Sequence, residues 1–184
     1  MFKHVPNILT GIRFLLIPVI FYFALNENYI LAVIFLTISG ITDVLDGYIA
    51  RKFNFVTDFG TLFDPLADKF TQISTLIVLV VQNIIPLWIL IIVIVKELLM
   101  ISGAAFLYDK KTVIGSRWYG KAATVVFYVA ILVSMLNRQF SLNYTFDLYL
   151  YYIALALTLF ALVMYFKTFS KVKKTSKEDI KKDA

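Results

Sequence analysis

The 184-residue chain contains no cysteine and a single histidine, His4. Disulfide staples and thiol chemistry are therefore excluded, and a zinc or iron centre lacks its usual ligands. Charge is scarce: 16% of residues, with Lys+Arg 18 against Asp+Glu 12. Glycine and proline are few as well, at 7 and 4. What fills the chain is apolar: 60% hydrophobic residues, 16% aromatic ones and a mean hydropathy of +0.82. This composition excludes a disordered protein and an ordinary soluble enzyme.

The apolar residues fall into stretches of about 20, the length a helix needs to cross a bilayer. Six such spans are predicted, near 8–25, 29–50, 63–82, 84–107, 119–137 and 147–167. Polar breaks separate them, such as Asn26-Glu27-Asn28 and Gln82-Asn83. Pro65 and Pro86 are expected in the first turns of the third and fourth helices, and Pro18 inside the first. A soluble bundle would need polar stripes at helical spacing, which Leu76–Val81 and Ile84–Val95 lack. The expected fold class is an all-α integral membrane protein with six transmembrane helices. Residues 1–166 form its membrane domain and 167–184 a basic cytoplasmic tail.

Orientation follows from the basic residues. Lys3, Arg13, Arg51, Lys52, Lys110, Lys111, Arg117, Lys121 and the tail fall on one side, and Arg138 alone on the other. Both termini are thus expected in the cytoplasm, with the protein multi-pass in the cell membrane. No signal peptide is expected, since no small-residue cleavage site follows the first apolar run. The net charge of +6 marks topology and contact with membrane lipids, and no nucleic-acid partner is expected.

Acids are concentrated where the membrane reading makes them costly. Asp43 and Asp46 are three apart, and Asp64 and Asp68 four apart, so each pair shares a helix face. The loop between the two helices is short, which brings four carboxylates together at the cytoplasmic ends of helices two and three. Such a cluster needs protonation, basic partners or bound cations. Arg51 and Lys69 supply at most two positive charges. Two divalent cations supply four, and all-oxygen ligands favour hard ions such as Mg²⁺ or Mn²⁺. A two-cation site suits phosphoryl transfer. Gly47, Ala50 and Gly60 lie beside the acids, where small residues let a ligand approach the backbone.

The segment Asp43-x2-Asp46-Gly47-x2-Ala50-Arg51-x8-Gly60-x3-Asp64-x3-Asp68 resembles, without departure, the signature of the CDP-alcohol phosphotransferases. The leader Val5-Pro6-Asn7-Ile8-Leu9-Thr10-x2-Arg13 is similar to that of the phosphatidylglycerophosphate and cardiolipin synthases of that family. The resemblance implies a homodimeric membrane enzyme that moves a phosphatidyl group from CDP-diacylglycerol to an alcohol and releases CMP. It further implies that Asp43, Asp46, Asp64 and Asp68 hold the metals and that Asp68 is the general base. Asp43, Gly47, Ala50, Arg51 and Gly60 would contact the CDP donor.

For the acceptor, Thr10, Arg13, Arg117 and Lys121 are the candidates, with Lys96 either a further one or neutralised inside the bundle. The resemblance implies that Thr10, Arg13 and Gly120-Lys121 match positions that bind glycerol 3-phosphate in phosphatidylglycerophosphate synthases. The chain departs from that group at Lys96-Glu97, where Arg-Glu is usual, and at Gly103-Ala104-Ala105, where an Arg is expected after the Gly. Gly120-Lys121-Ala122-Ala123-Thr124 also lacks a second Lys. Glycerol 3-phosphate is the expected acceptor, with phosphatidylglycerol, as in cardiolipin synthesis, the alternative. A divalent-cation transporter or channel would explain the acids but not Gly47, Ala50, Arg51 and Gly60.

Overall fold

The computed structural model describes residues 5–53, 58–108, 118–142 and 145–182. Within them are six helices: α1 Val5–Leu25, α2 Tyr29–Lys52, α3 Asp58–Val81, α4 Leu87–Tyr108, α5 Trp118–Phe140 and α6 Phe146–Lys182. Among the described residues, four of them contain stretches long and apolar enough to cross a membrane: Ile8–Leu25, Tyr29–Ala50, Gly120–Phe140 and Phe146–Met164. Helix α3 carries Asp64, Asp68 and Lys69 within its apolar part, and the otherwise apolar α4 carries only Lys96 and Glu97.

Three boundaries differ from expectation. Helix α4 begins at Leu87, so Pro86 stands just before it instead of in its first turn. Helix α3 begins at Asp58, so Pro65 sits inside it instead of in its first turn. Proline has no N–H to give the carbonyl of Thr61 and its ring crowds that turn, a defect tolerated in membrane helices where neighbours re-satisfy the freed group. The interval between α2 and α3 is correspondingly shorter than the break read between 51 and 62. Helix α6 runs on through Lys182, about 55 Å at 1.5 Å per residue. No Gly or Pro occurs between Phe146 and Lys182, and the apolar stretch gives way to good helix formers without a stop signal.

Helix α1 packs chiefly on α2 and α3, and α5 on α6; α2–α5 contacts join the two groups, and α4 packs on both α3 and α6. Ile20, Leu36, Leu76, Leu79, Ile89, Ile131, Met135 and Tyr151 form the shared core. Ala24, Ala32, Ala130 and Ala154 are fully buried among them, small enough for helix backbones to approach closely.

At the end of the bundle away from the acids, α1, α3 and α5 stop in the same way. Glu27, Asn83 and Ser141 adopt positive φ of 58°, 55° and 50°. The next N–H then reaches back to close the helix: Asn28 to the Phe23 carbonyl at 3.0 Å, Ile84 to Leu79 at 2.8 Å, and Leu142 to Asn137 at 3.1 Å. Gln82 ties this end together. Its Nε2 donates to the Ala24 carbonyl at 2.8 Å, and its Oε1 accepts from the Tyr29 hydroxyl at 3.0 Å. The Tyr29 N–H in turn donates to Gln139 Oε1 at 3.0 Å. The acids at the opposite end are thereby carried on helices whose far ends are pinned to one another.

Candidate active site

Three helices meet at the acidic end. The last turns of α2 carry Asp43 and Asp46, the first half of α3 carries Asp64 and Asp68, and α1 brings Thr10 and Arg13, one turn apart, between them. Arg13 is 1% exposed. Its guanidinium donates from Nη1 to Asp43 Oδ1 at 2.5 Å, and from Nη2 to Asp46 Oδ2 at 2.5 Å and Asp64 Oδ1 at 3.2 Å. Thr10 Oγ1 donates to the same Asp64 oxygen. Asp46 is buried, whereas Asp43 and Asp64 keep 47% and 32% of their side chains exposed, so the cluster opens on one side. Arg13 Nε is buried with no hydrogen-bond partner among the described residues.

A planar fork with five donors suits this task, since it grips two carboxylates at once and cannot be deprotonated. Three carboxylates against one guanidinium still leave the cluster short of positive charge. Lys69, expected to share in the compensation, goes elsewhere: its Nζ pairs with Glu97 Oε1 at 2.9 Å. Lys96 Nζ takes the same oxygen at 2.5 Å. The mid-helix charges of α4 thus form a two-lysine, one-glutamate group with Lys69.

Asp68 stands apart from the guanidinium and is held from α5. The Tyr128 hydroxyl donates to Asp68 Oδ1 at 2.8 Å and lies 3.3 Å from the Asp68 carbonyl oxygen. One of its carboxylate oxygens is fixed in this way. Sequence reasoning missed Tyr128, one of 11 tyrosines with no spacing that distinguishes it.

The remaining candidates are spread around this centre. Gly47 and Ala50 follow Asp46 along α2 and are half-buried. Lys121 is exposed in the first turn of α5, where the Gly120 carbonyl accepts from Thr124 Oγ1 at 3.2 Å. Arg51 and Gly60 belong to α2 and α3, but their surroundings lie outside the described residues, as does Arg117 altogether.

The donor set, all carboxylate oxygen, is the chemistry a hard divalent cation takes. Among the described residues no three acids are arranged as a ready cation cage. The reason is visible in the contacts: oxygens of Asp43, Asp46 and Asp64 converge on Arg13.

The pattern of the family described as CDP-alcohol phosphatidyltransferase matches residues 3–165, nearly the whole helical body. The chain belongs to that family. Among curated CDP-alcohol phosphatidyltransferases, the chain is similar to a protein of Mycoplasma genitalium named CDP-diacylglycerol--glycerol-3-phosphate 3-phosphatidyltransferase, 33% identical over 89% of this chain and 82% of that protein. A protein of the same name from Haemophilus influenzae is 32% identical over 88% of this chain and 91% of its own length. A Schizosaccharomyces pombe fusion protein named for cardiolipin synthase and a mitochondrial hydrolase is 38% identical, over 57% of this chain and 18% of that protein.

Proposed function

We propose that this chain transfers a phosphatidyl group from CDP-diacylglycerol to glycerol 3-phosphate, forming phosphatidylglycerophosphate and releasing CMP. The observation that carries the reading is the convergence of the Asp43, Asp46 and Asp64 carboxylates beside Asp68, in a chain whose relatives named for this reaction align over nearly nine-tenths of its length. The match to the relative named for cardiolipin synthesis spans little more than half, so phosphatidylglycerol is the second choice of acceptor.

In this reading Asp43, Asp46, Asp64 and Asp68 hold two Mg²⁺ or Mn²⁺ ions, which offset the charge of the diphosphate and of the departing CMP. Asp68 takes the proton of the acceptor hydroxyl as that oxygen attacks the phosphatidyl phosphorus and the bond to the CMP oxygen breaks. Tyr128, by donating to Asp68 Oδ1, holds that carboxylate in one orientation for the proton transfer. Gly47, Ala50 and Gly60 give the nucleotide room against the helix backbones, and Arg51 pairs with donor phosphate. Thr10, Arg13, Arg117 and Lys121 bind the acceptor phosphate.

All six helices cross the cell membrane, with both termini and the acidic ends of α2 and α3 on the cytoplasmic side. The supporting asymmetry is that of the basic residues, with Lys110, Lys111, Arg117 and Lys121 in and around one interhelical segment and Arg138 near the opposite end. Lipid tails lie between helices while the nucleotide faces water, and the enzyme works as a homodimer.

The test is CMP release by purified protein with Mg²⁺ or Mn²⁺, CDP-diacylglycerol and one acceptor at a time. Release with glycerol 3-phosphate is expected. Release with phosphatidylglycerol alone would replace the acceptor, and none with any alcohol would overturn the reading.

A further inference from the structure

The most deeply buried charged side chain among the described residues lies in the acidic cluster, and its contacts fall on the oxygens that cations would need. Arg13 Nη1 and Nη2 engage Asp43 Oδ1, Asp46 Oδ2 and Asp64 Oδ1 at 2.5 to 3.2 Å. A hard cation such as Mg²⁺ takes its carboxylate oxygens at roughly 2.1 Å and demands near-octahedral geometry. A guanidinium and a divalent cation sharing these oxygens would place three positive charges within a few ångströms of each other.

The guanidinium clamp is also incomplete on its own terms. Three carboxylates exceed one guanidinium by two charges, and the nearby Lys69 and Lys96 are both engaged with Glu97. Arg13 Nε remains a buried donor without a partner among the described residues. The cluster thus keeps a deficit of positive charge, and the arginine keeps an unmet hydrogen bond. Both favour replacing Arg13 at the carboxylates by something more strongly charged.

We propose that Arg13 is a positioning residue that holds Asp43, Asp46 and Asp64 together and is displaced from them when divalent cations bind. The inference rests on the two-cation reading above. It adds an order to it: cation binding releases Arg13 from the acids and frees its Nη donors for acceptor phosphate, so cation binding precedes acceptor contact.

The experiment uses the full chain in detergent micelles, with Mn²⁺ binding followed by the electron paramagnetic resonance signal of free Mn²⁺, and thermal unfolding measured in EDTA and at saturating Mn²⁺. Wild type is compared with Arg13→Gln and Arg13→Lys. Lysine keeps the charge but cannot bridge carboxylates with a planar fork. Removing a competitor raises the binding-competent fraction, so Arg13→Gln should bind Mn²⁺ about tenfold more tightly and Arg13→Lys roughly threefold. Both should melt below wild type in EDTA, and the gap should narrow with Mn²⁺. Arg13→Lys binding no more tightly than wild type overturns the exchange, because then only through-space charge is at work. Equal or weaker binding by Arg13→Gln overturns it too. Wild type and folded variants that all bind no Mn²⁺ would bring down the two-cation reading, and the exchange with it.

Discussion

Glu97 is the counterion on which two lysines depend, and removing it gives a measurable stability prediction. Its Oε1 lies 2.9 Å from Lys69 Nζ and 2.5 Å from Lys96 Nζ. Glu97 is 6% exposed, Lys96 16% and Lys69 25%, so the group is mostly out of water but not sealed. Breaking a buried pair by deleting one partner costs about 3–5 kcal/mol. Partial exposure of Lys69 places Glu97→Gln near the lower end, about 3 kcal/mol, or roughly 150-fold in the folding equilibrium. Lys96→Met is the informative contrast. It leaves Lys69 and Glu97 as a neutral pair and removes the surplus positive charge, so about 1 kcal/mol or less is expected. Reversible unfolding from mild detergent into sodium dodecyl sulfate, followed by circular dichroism, measures both. If Lys96→Met costs as much as Glu97→Gln, Glu97 is not a shared counterion and the charge accounting fails.

Three further outcomes follow from single contacts. Asp68→Asn should abolish CMP release while leaving binding of the CDP donor, measured by calorimetry, within about threefold; loss of donor binding would move Asp68 out of the base role. Tyr128→Phe removes the hydroxyl that fixes one Asp68 oxygen, and should lower kcat about tenfold with little change in KM for either substrate, which steady-state assays resolve. Gln82→Ala loses links to α1 and α2 at once, and should cost about 1–3 kcal/mol in the same unfolding assay without changing kcat.

The helices were legible in the sequence because each contains an apolar run, a signal that needs no tertiary information, although the start of α3 at Asp58 and the extension of α6 to Lys182 lie outside those runs. Their C-terminal closures were not. Glu27, Asn83 and Ser141 take left-handed conformations where glycine would have announced them. The four acids were legible because spacings of three and four fix a helix face. How their charge is offset was not, because Arg13 is separated from its partners by 30 to 51 residues and nothing in α1 says which helices its face meets. Lys69 misled for the converse reason: it adjoins Asp68 in sequence, yet its side chain leaves for Glu97 on the next helix. Tyr128 carries no local signature at all.

The span between Arg13 and its partners also bears on how the chain is made. Helix α1 emerges from the ribosome with an arginine inside its apolar stretch, Ile8–Leu25, a burden of up to about 3 kcal/mol for a helix entering lipid alone. Relief comes only with Asp43, Asp46 and Asp64, which are synthesised 30, 33 and 51 residues later. Biogenesis should therefore treat the first three helices as one parcel. Nascent chains stalled after α1 should cross-link to the translocon, and those stalled after α3 should be released to lipid. Arg13→Leu should let α1 leave early, into a protein that then lacks the charge to gather its acids.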